Sequence, residues 1–373
     1  VVLVVFDLTG VCIITGLQRN TKYKYRMGYF FSDAEVNDAG FQSDSADWGE
    51  AQEGEFTTAS DSDNASRSLI IGSCRYLLKT FLGSFWDNRG DKTFRSVNEQ
   101  IDHDKKPRPV HQLIMMGDQI YADDLNAFNP DKSVDQFYKR YQDAFGQEHL
   151  RKLMSRVPTY MTLDDHEIED NWPSKASEKD WKTVYPNAIH AYQAYQLSHS
   201  PNIPVKDGRL QGTPKSLWYN YTDGCCDVFV TDSRTERWLD NPDGPTIIGE
   251  DQMKALNKWL ADGSDRVKLI VTSVPFAPEM RGDNSDKWGG FPSQRTELLE
   301  HIEKNQIKRV VFLSGDVHAS MAIKLTSPSG LIIGSVISSA FFWPYPHPSA
   351  DRFQLSGKID GGDAGLFTVR KVA

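Results

Sequence analysis

Five short polar motifs interrupt apolar runs between Ile70 and Ser320, and each one ends an expected strand. They are Gly72-Ser73-Cys74-Arg75, Gly117-Asp118-Gln119-Ile120-Tyr121, Asp164-Asp165-His166-Glu167, Asp232-Ser233-Arg234 and Gly315-Asp316-Val317-His318. The strand-length runs feeding them are residues 68–71, 112–116, 159–163, 227–230 and 309–313. Carboxylates, a thiol, a phenol and two histidines therefore gather at strand C-termini, where open α/β sheets place their ligands. Such a pattern reads as a metal-dependent hydrolase.

With 373 residues the chain can bury a large core, in one large domain or two. Apolar runs such as Leu331-Ile332-Ile333 fall far short of the roughly 20 residues that span a bilayer, so no integral membrane segment is expected. A net charge of −9 argues against nucleic acid as the main partner. Four cysteines do not make a disulfide framework: Cys225 and Cys226 are adjacent, and Cys12 and Cys74 belong to different units. The sequence starts at Val1, so any signal peptide would lie upstream.

Residues 1–59 carry β-type signals in the runs Val1 to Phe6 and Val11 to Ile14, and in the alternation of Tyr23, Tyr25 and Met27 with polar residues. Residues 32–53, rich in Ser, Asp, Ala and Gly, read as a loop. The polar stretch Ala59 to Ser68 marks a boundary, dividing the chain into units 1–60 and 61–373. Beyond it, strands alternate with helical spacing at 134–141, 186–197, 250–260 and 293–303, which predicts a layered α/β core.

Each motif has a functional and a bland reading. Gly117 permits a tight turn, so that Asp118 and Tyr121 can address one metal; the alternative is a strand-ending turn with a packed tyrosine. Asp316 and His318 lie two apart, on one side of an extended chain. Asp164, Asp165, Glu167, Glu169 and Asp170 crowd beside His166 and Asn171, as a metal-ligand stretch or as an acidic helix cap. Cys74 is a candidate thiolate ligand, whereas Cys225 and Cys226 read as core or turn residues. Arg234 and Arg237 suit bidentate phosphate binding, against salt bridges to Asp232 or Glu236. The segment Phe341 to Pro346 is either a wall for a second ester substituent or ordinary packing. Trp86, Trp172, Trp181 and Trp288 are candidates for the edge of a cleft.

The motifs, in this order, resemble the alkaline phosphatase D (PhoD-like) family of the calcineurin-like metallophosphoesterases, over roughly residues 68–345. Residues 15–26 and 54–58 are similar to the second half of a fibronectin-III-like domain, which also fits that family. The resemblance implies a four-layer α/β/β/α metallophosphoesterase sandwich with a small N-terminal fibronectin-III-like β-domain. It implies Fe3+ bound by Cys74, Asp118, Tyr121 and His318. It also implies Ca2+ bound by Asp118 as a bridge with Asp165, Asn171 and Asp316. The expected reaction is hydrolysis of a small-molecule phosphate ester, monoester or diester, by a metal-activated water or oxide. Arg234 and Arg237 would hold the phosphate, and His166 would serve the leaving group. Nucleic acid enters only as a possible phosphodiester substrate. An extracytoplasmic location, periplasmic, cell-surface or secreted, follows from the family. Two other readings stand beside it: a generic Zn2+ or Mn2+ dinuclear phosphoesterase, and a non-catalytic, calcium-stabilised binding protein.

Overall fold

The structure is a computed structural model that describes residues 7, 9–28, 49, 51–77, 88–103, 108–124, 130–202, 205–206, 209–210, 214–282 and 285–373. Strands β1 (Lys22–Met27) and β2 (Gln52–Thr57) pair antiparallel, with Lys22 opposite Thr57. Their alternation puts Tyr23 and Tyr25 against Phe56. The expected run Val1 to Phe6 and most of the expected loop 32–53 lie outside the described residues. Val11 to Ile14 forms no strand, and Ile13 and Ile14 are exposed.

The next elements are β3 (Leu69–Gly72), α1 (Lys92–Ile101), β4 (Gln112–Met116), α2 (Val134–Phe145), α3 (Glu148–Met154) and β5 (Thr159–Thr162). The three strands form a parallel sheet in the order β3-β4-β5. Then come α4 (Glu178–Tyr195), a short hairpin of β6 (Val205–Lys206) and β7 (Arg209–Leu210), β8 (Tyr219–Asp223), β9 (Cys226–Val230), α5 (Glu250–Leu260) and β10 (Val267–Val271). Last come α6 (Pro292–Lys304), β11 (Val310–Ser314), β12 (Ser320–Thr326), β13 (Ile332–Ser338), β14 (Ser356–Asp360) and β15 (Leu366–Lys371). They supply a second, eight-stranded mixed sheet ordered β14-β15-β12-β13-β11-β10-β9-β8. Its centre, β9-β10-β11-β13, is parallel.

Strand periodicity decides how these sheets pack. On β4, Leu113 and Met115 face Phe94, Leu150 and Leu153 from the helices. The alternate residues Ile114 and Met116 face Val228, Val230, Leu269, Val271 and Leu313 of the other sheet. On the larger sheet Phe229, Ile270 and Phe312 point outward to Leu256 of α5 and Leu298, Leu299 and Ile302 of α6. Both sheets therefore bury one face on each other and one under helices. Each buried aliphatic or aromatic side chain contributes about 1.5–3 kcal/mol, so this shared core dominates stability. Side chains also link the two sheets: the Tyr219 hydroxyl donates to Met161 O (2.8 Å) and accepts from Met161 N (3.1 Å). The Ser338 hydroxyl donates to Ile71 O (2.9 Å).

The five expected strands are present with shifts at their ends. The helix expected from Pro186 begins at Glu178 instead, with Pro186 inside it. Ser177 and Asp180 form a capping box ahead of the first turn. The buried stripe Val184, Ala188, Ala191 and Tyr192 holds the helix against α2 despite the proline.

Candidate metal centre and active site

All five motifs leave their strands at one end of the two sheets. Cys74 follows β3, Asp118 follows β4, Asp165 follows β5, Arg234 follows β9, and Asp316 and His318 follow β11. The backbone there is unusual: Cys74, Asp118, Asn171, Asp316 and His318 take φ of 54, 57, 60, 66 and 50°. Left-handed non-glycine residues cost on the order of 1–3 kcal/mol each and cluster at functional sites. Gly117 makes the crossing possible, with φ 99°; a Cβ there would lie 2.4 Å from the Asp164 Cβ.

Glu167 locks the loops together. Its buried carboxylate accepts from Asp118 N (3.0 Å), Gln119 N (2.7 Å), Asp164 N (2.8 Å) and Gln196 Nε2 (3.0 Å). Across the first two motifs, Cys74 N donates to Gly117 O and Arg75 N to Asp118 O.

The side chains then converge. Asp118 Oδ2 accepts from the Cys74 thiol (3.3 Å) and the Tyr121 hydroxyl (3.2 Å), and that hydroxyl stands 3.4 Å from His318 Nε2. Candidate ligand atoms of Cys74, Asp118 and His318 lie within 4.8 Å of one another, as do those of Asp118, Asp165 and His166. Asp118 belongs to both groups. A cavity of about 340 Å³ opens over them, lined by residues that include Asp165, His166, Asn171, Lys287, Asp316, His318 and Trp343.

The donor set fits bound cations. Asp118 Oδ1 is buried without a hydrogen-bond partner; Asp165 Oδ1 and Asp316 Oδ2 also lack one and have only ion-pair contacts, to Arg234 (3.5 Å) and Lys287 (3.3 Å). So dense a set of buried carboxylates is costly unless further positive charge is held there. Burial, reinforced by neighbouring carboxylates, pushes Asp118 well above the usual carboxylate range. Burial and then Asp118 likewise raise the Cys74 thiol and the Tyr121 phenol. A cation inverts this order by favouring the deprotonated donors. Burial, with His166 and His347 nearby, holds His318 down at about 4, so its ring is neutral and suited to ligation.

His166 is different. Burial opposes its charge, but Asp165, Asp118 and Asp123 outweigh that and hold its pKa well above the ordinary value. Both carboxylate oxygens of Asp123 lie 2.9 Å from Nδ1. With His166 held in its charged form, Nδ1 donates to Asp123, and Nε2 is the ring atom left for the pocket.

The acidic stretch divides its labour. Asp165 and His166 face the pocket, Asn171 lines it and donates its N–H to Asp165 Oδ2 (2.6 Å), and Asp170 pairs with Lys175. Asp164 points away, toward Arg234 and the Ser273 hydroxyl.

Two expectations need correction. Arg234 and Arg237 are buried and absent from the pocket lining. Arg234 donates to Asp164, to Trp172 O and through two nitrogens to Asp286; Arg237 donates to Ser233 O, Asp286 Oδ1 and Asp286 O. Their donors build the site rather than face a phosphate, and the partner is Asp286, not Asp232 or Glu236. The tryptophans also divide: Trp172 and Trp288 are core residues, Trp181 is exposed beside Trp172, and Trp86 lies outside the described residues. The aromatic segment splits similarly. Phe341 is buried in the core, whereas the Trp343 ring stacks on His318 with centroids 3.7 Å apart. Phe341 N donates to Ser73 O, and Phe342 bridges Arg75 in parallel, which carries Trp343 to the pocket.

Asp123, Glu167 as a backbone clamp, Asp286 and Lys287 were not singled out from sequence. Asp123 had a signal in its place two residues after Tyr121. Asp286 and Lys287 follow no strand and had none.

Fold and site together define a class: a mixed-sheet α/β protein with a candidate metal cleft at its strand ends. A family model described as PhoD-like phosphatase matches residues 81–346, and the chain belongs to that family. Alkaline phosphatase D of Bacillus subtilis (strain 168) is 27% identical over 214 residues, which are 52% of this chain and 36% of that protein. A solved structure described as "Structure of PhoD" is similar in fold, with a TM-score of 0.61 at 18% identity, covering 78% of this chain and 60% of that one. The chain thus spans just over a third of the length of the curated relative it matches.

Proposed function

We propose that this pocket hydrolyses phosphate esters of small molecules, as a PhoD-like phosphatase with resident cations. The observation that carries the reading is Asp118, shared by two donor groups and left with a buried, unpartnered Oδ1. One cation would be held by Cys74, Asp118, Tyr121 and His318, a thiolate, phenolate and imidazole set that suits Fe3+. The other would be held by Asp118, Asp165, Asn171 and Asp316, hard oxygens that suit Ca2+. Such cations supply charge neutralisation for the phosphoryl group and acidify a water. The protein does the rest. Asp123 fixes His166 so that its Nε2 reaches the leaving oxygen and gives it a proton. Trp343 walls the pocket beside His318 and shields the reacting centre from solvent.

The same reading treats residues 61–373 as the catalytic unit, a four-layer α/β/β/α sandwich, and β1–β2 as part of a fibronectin-III-like module in residues 1–60. Helices on the outer faces of two packed sheets support the layered description. An extracytoplasmic location fits calcium as a working cofactor.

The test is elemental analysis of the purified protein, with hydrolysis of p-nitrophenyl phosphate and bis-p-nitrophenyl phosphate and an Asp118→Ala variant. Iron with calcium, and turnover lost together with metal in Asp118→Ala, is the expected result. Activity restored by zinc or manganese alone replaces the cation assignment. An active, metal-free Asp118→Ala protein overturns the site.

A further inference from the structure

We propose that Lys287 is the side chain that grips the phosphoryl oxygens of the substrate, an inference that rests on the phosphoester reading above. A phosphate entering the pocket meets the lining carboxylates of Asp165, Asp170, Asp286 and Asp316. Among the described residues Lys287 is the one lysine or arginine that lines this cavity. The strand-end arginines are committed elsewhere, on Asp164 and Asp286. Lys175 is largely exposed and pairs with Asp170.

The position of Lys287 is fixed by its neighbours. Trp288 is fully buried, with its indole N–H on Thr272 Oγ1 (3.1 Å) and its backbone N–H on Pro275 O (3.2 Å). The Lys287 carbonyl accepts from Gly290 N (2.8 Å). The Lys287 backbone therefore stands on a rigid turn, and its four-carbon stem brings the ammonium to 3.3 Å from Asp316 Oδ2. An ammonium has three diverging donors, so it can bridge a carboxylate and a phosphoryl oxygen. Asp286, beside it in sequence, is held by two guanidiniums.

A purely structural role predicts something else. If Lys287 only balanced Asp316, replacing it would change cation binding and leave anion binding alone. The experiment therefore compares metal-loaded wild type, Lys287→Met and Lys287→Arg. It reads p-nitrophenyl phosphate turnover, inhibition by inorganic phosphate, and metal content. Lys287→Met is expected to lose about ten- to a hundredfold in kcat/KM and to weaken phosphate inhibition by a similar factor, the range for one charge-assisted hydrogen bond. Its metal content should be unchanged, and Lys287→Arg should recover part of the loss. Unchanged phosphate inhibition in Lys287→Met overturns the proposal, and so does an activity loss that merely follows metal loss. If metal-loaded wild type hydrolyses no ester, the phosphoester reading fails separately. Calorimetric titration with inorganic phosphate then decides for Lys287: weaker binding to Lys287→Met supports the contact, and equal binding overturns it.

Discussion

Asp286 holds two buried guanidiniums on a single carboxylate, with Arg234 and Arg237 each 2.6 Å from Oδ1. Burial disfavours its charge, yet the two arginines outweigh burial and hold the carboxyl far below the usual range. A depressed carboxylate contributes stability above its unfolded pKa, about 3.9, and loses that contribution as pH falls through the lower folded value. Asp286→Asn should therefore cost about 3–5 kcal/mol at pH 7, because it takes the paired carboxylate from the buried Arg237 and leaves Arg234 with Asp164 and Asp165 alone. Urea denaturation at a series of pH values checks this: the gap to wild type should narrow only below about pH 4. A gap that stays constant to pH 3 would show that ionisation is not its source. The same residue explains a misreading. An arginine four positions past a strand invites a phosphate, but the partner that claims Arg234 lies 52 positions away, in a segment with no periodic signal.

At the scale of elements, Glu167 is the clamp between the loops after β4 and β5. Glu167→Gln would set an amide N–H against backbone N–H donors, costing about 1–3 kcal/mol. Metal titration should show weaker binding although no donor atom was removed; undiminished affinity would mean that the loops hold their shape unaided. The capping box of α4 gives a simpler case. Ser177→Ala should lower stability by about 1 kcal/mol in thermal denaturation, with pocket chemistry unchanged. Most strands were legible because alternation is local, as on β4, where successive residues face different cores. The start of α4 was not legible, since Pro186 imitates a helix beginning and the true first turn is polar. The convergence of Cys74, Asp118, Asp165, Asp316 and His318 was legible for a further reason: each follows a strand, and parallel strands deliver their ends together. Trp343 reaches the site by pairing of Phe341 and Phe342 with the segment after β3, a tertiary contact no local pattern announces.

For the whole molecule, the cleft straddles two sheets. Cys74, Asp118 and Asp165 come from the smaller sheet, and Asp316 and His318 from the larger. Cations bound there would favour the docked state by mass action. Chelation should therefore lower the thermal midpoint, and the midpoint should rise again with added free metal; a midpoint indifferent to chelator would mean that bound cations do not help to hold the two sheets together. Tyr219→Phe removes the hydroxyl that serves both backbone groups of Met161, and should cost about 1–3 kcal/mol without touching the cleft.

The wide spacing of the donors along the chain also bears on synthesis. Cys74 and Asp316 stand 242 positions apart, yet the Cys74 sulfur lies 3.7 Å from the Asp316 carbonyl oxygen. A nascent chain emerging from the ribosome presents the thiol long before the carboxylate and His318 exist to meet it. The complete cleft is thus a late product of translation, assembled only after β11 has joined its sheet. Until then Cys74 waits as an ordinary thiol, open to oxidation or to the wrong metal. On the metal-centre reading, loading would follow folding, and the ions present where the last strands settle would set which cation fills the cleft.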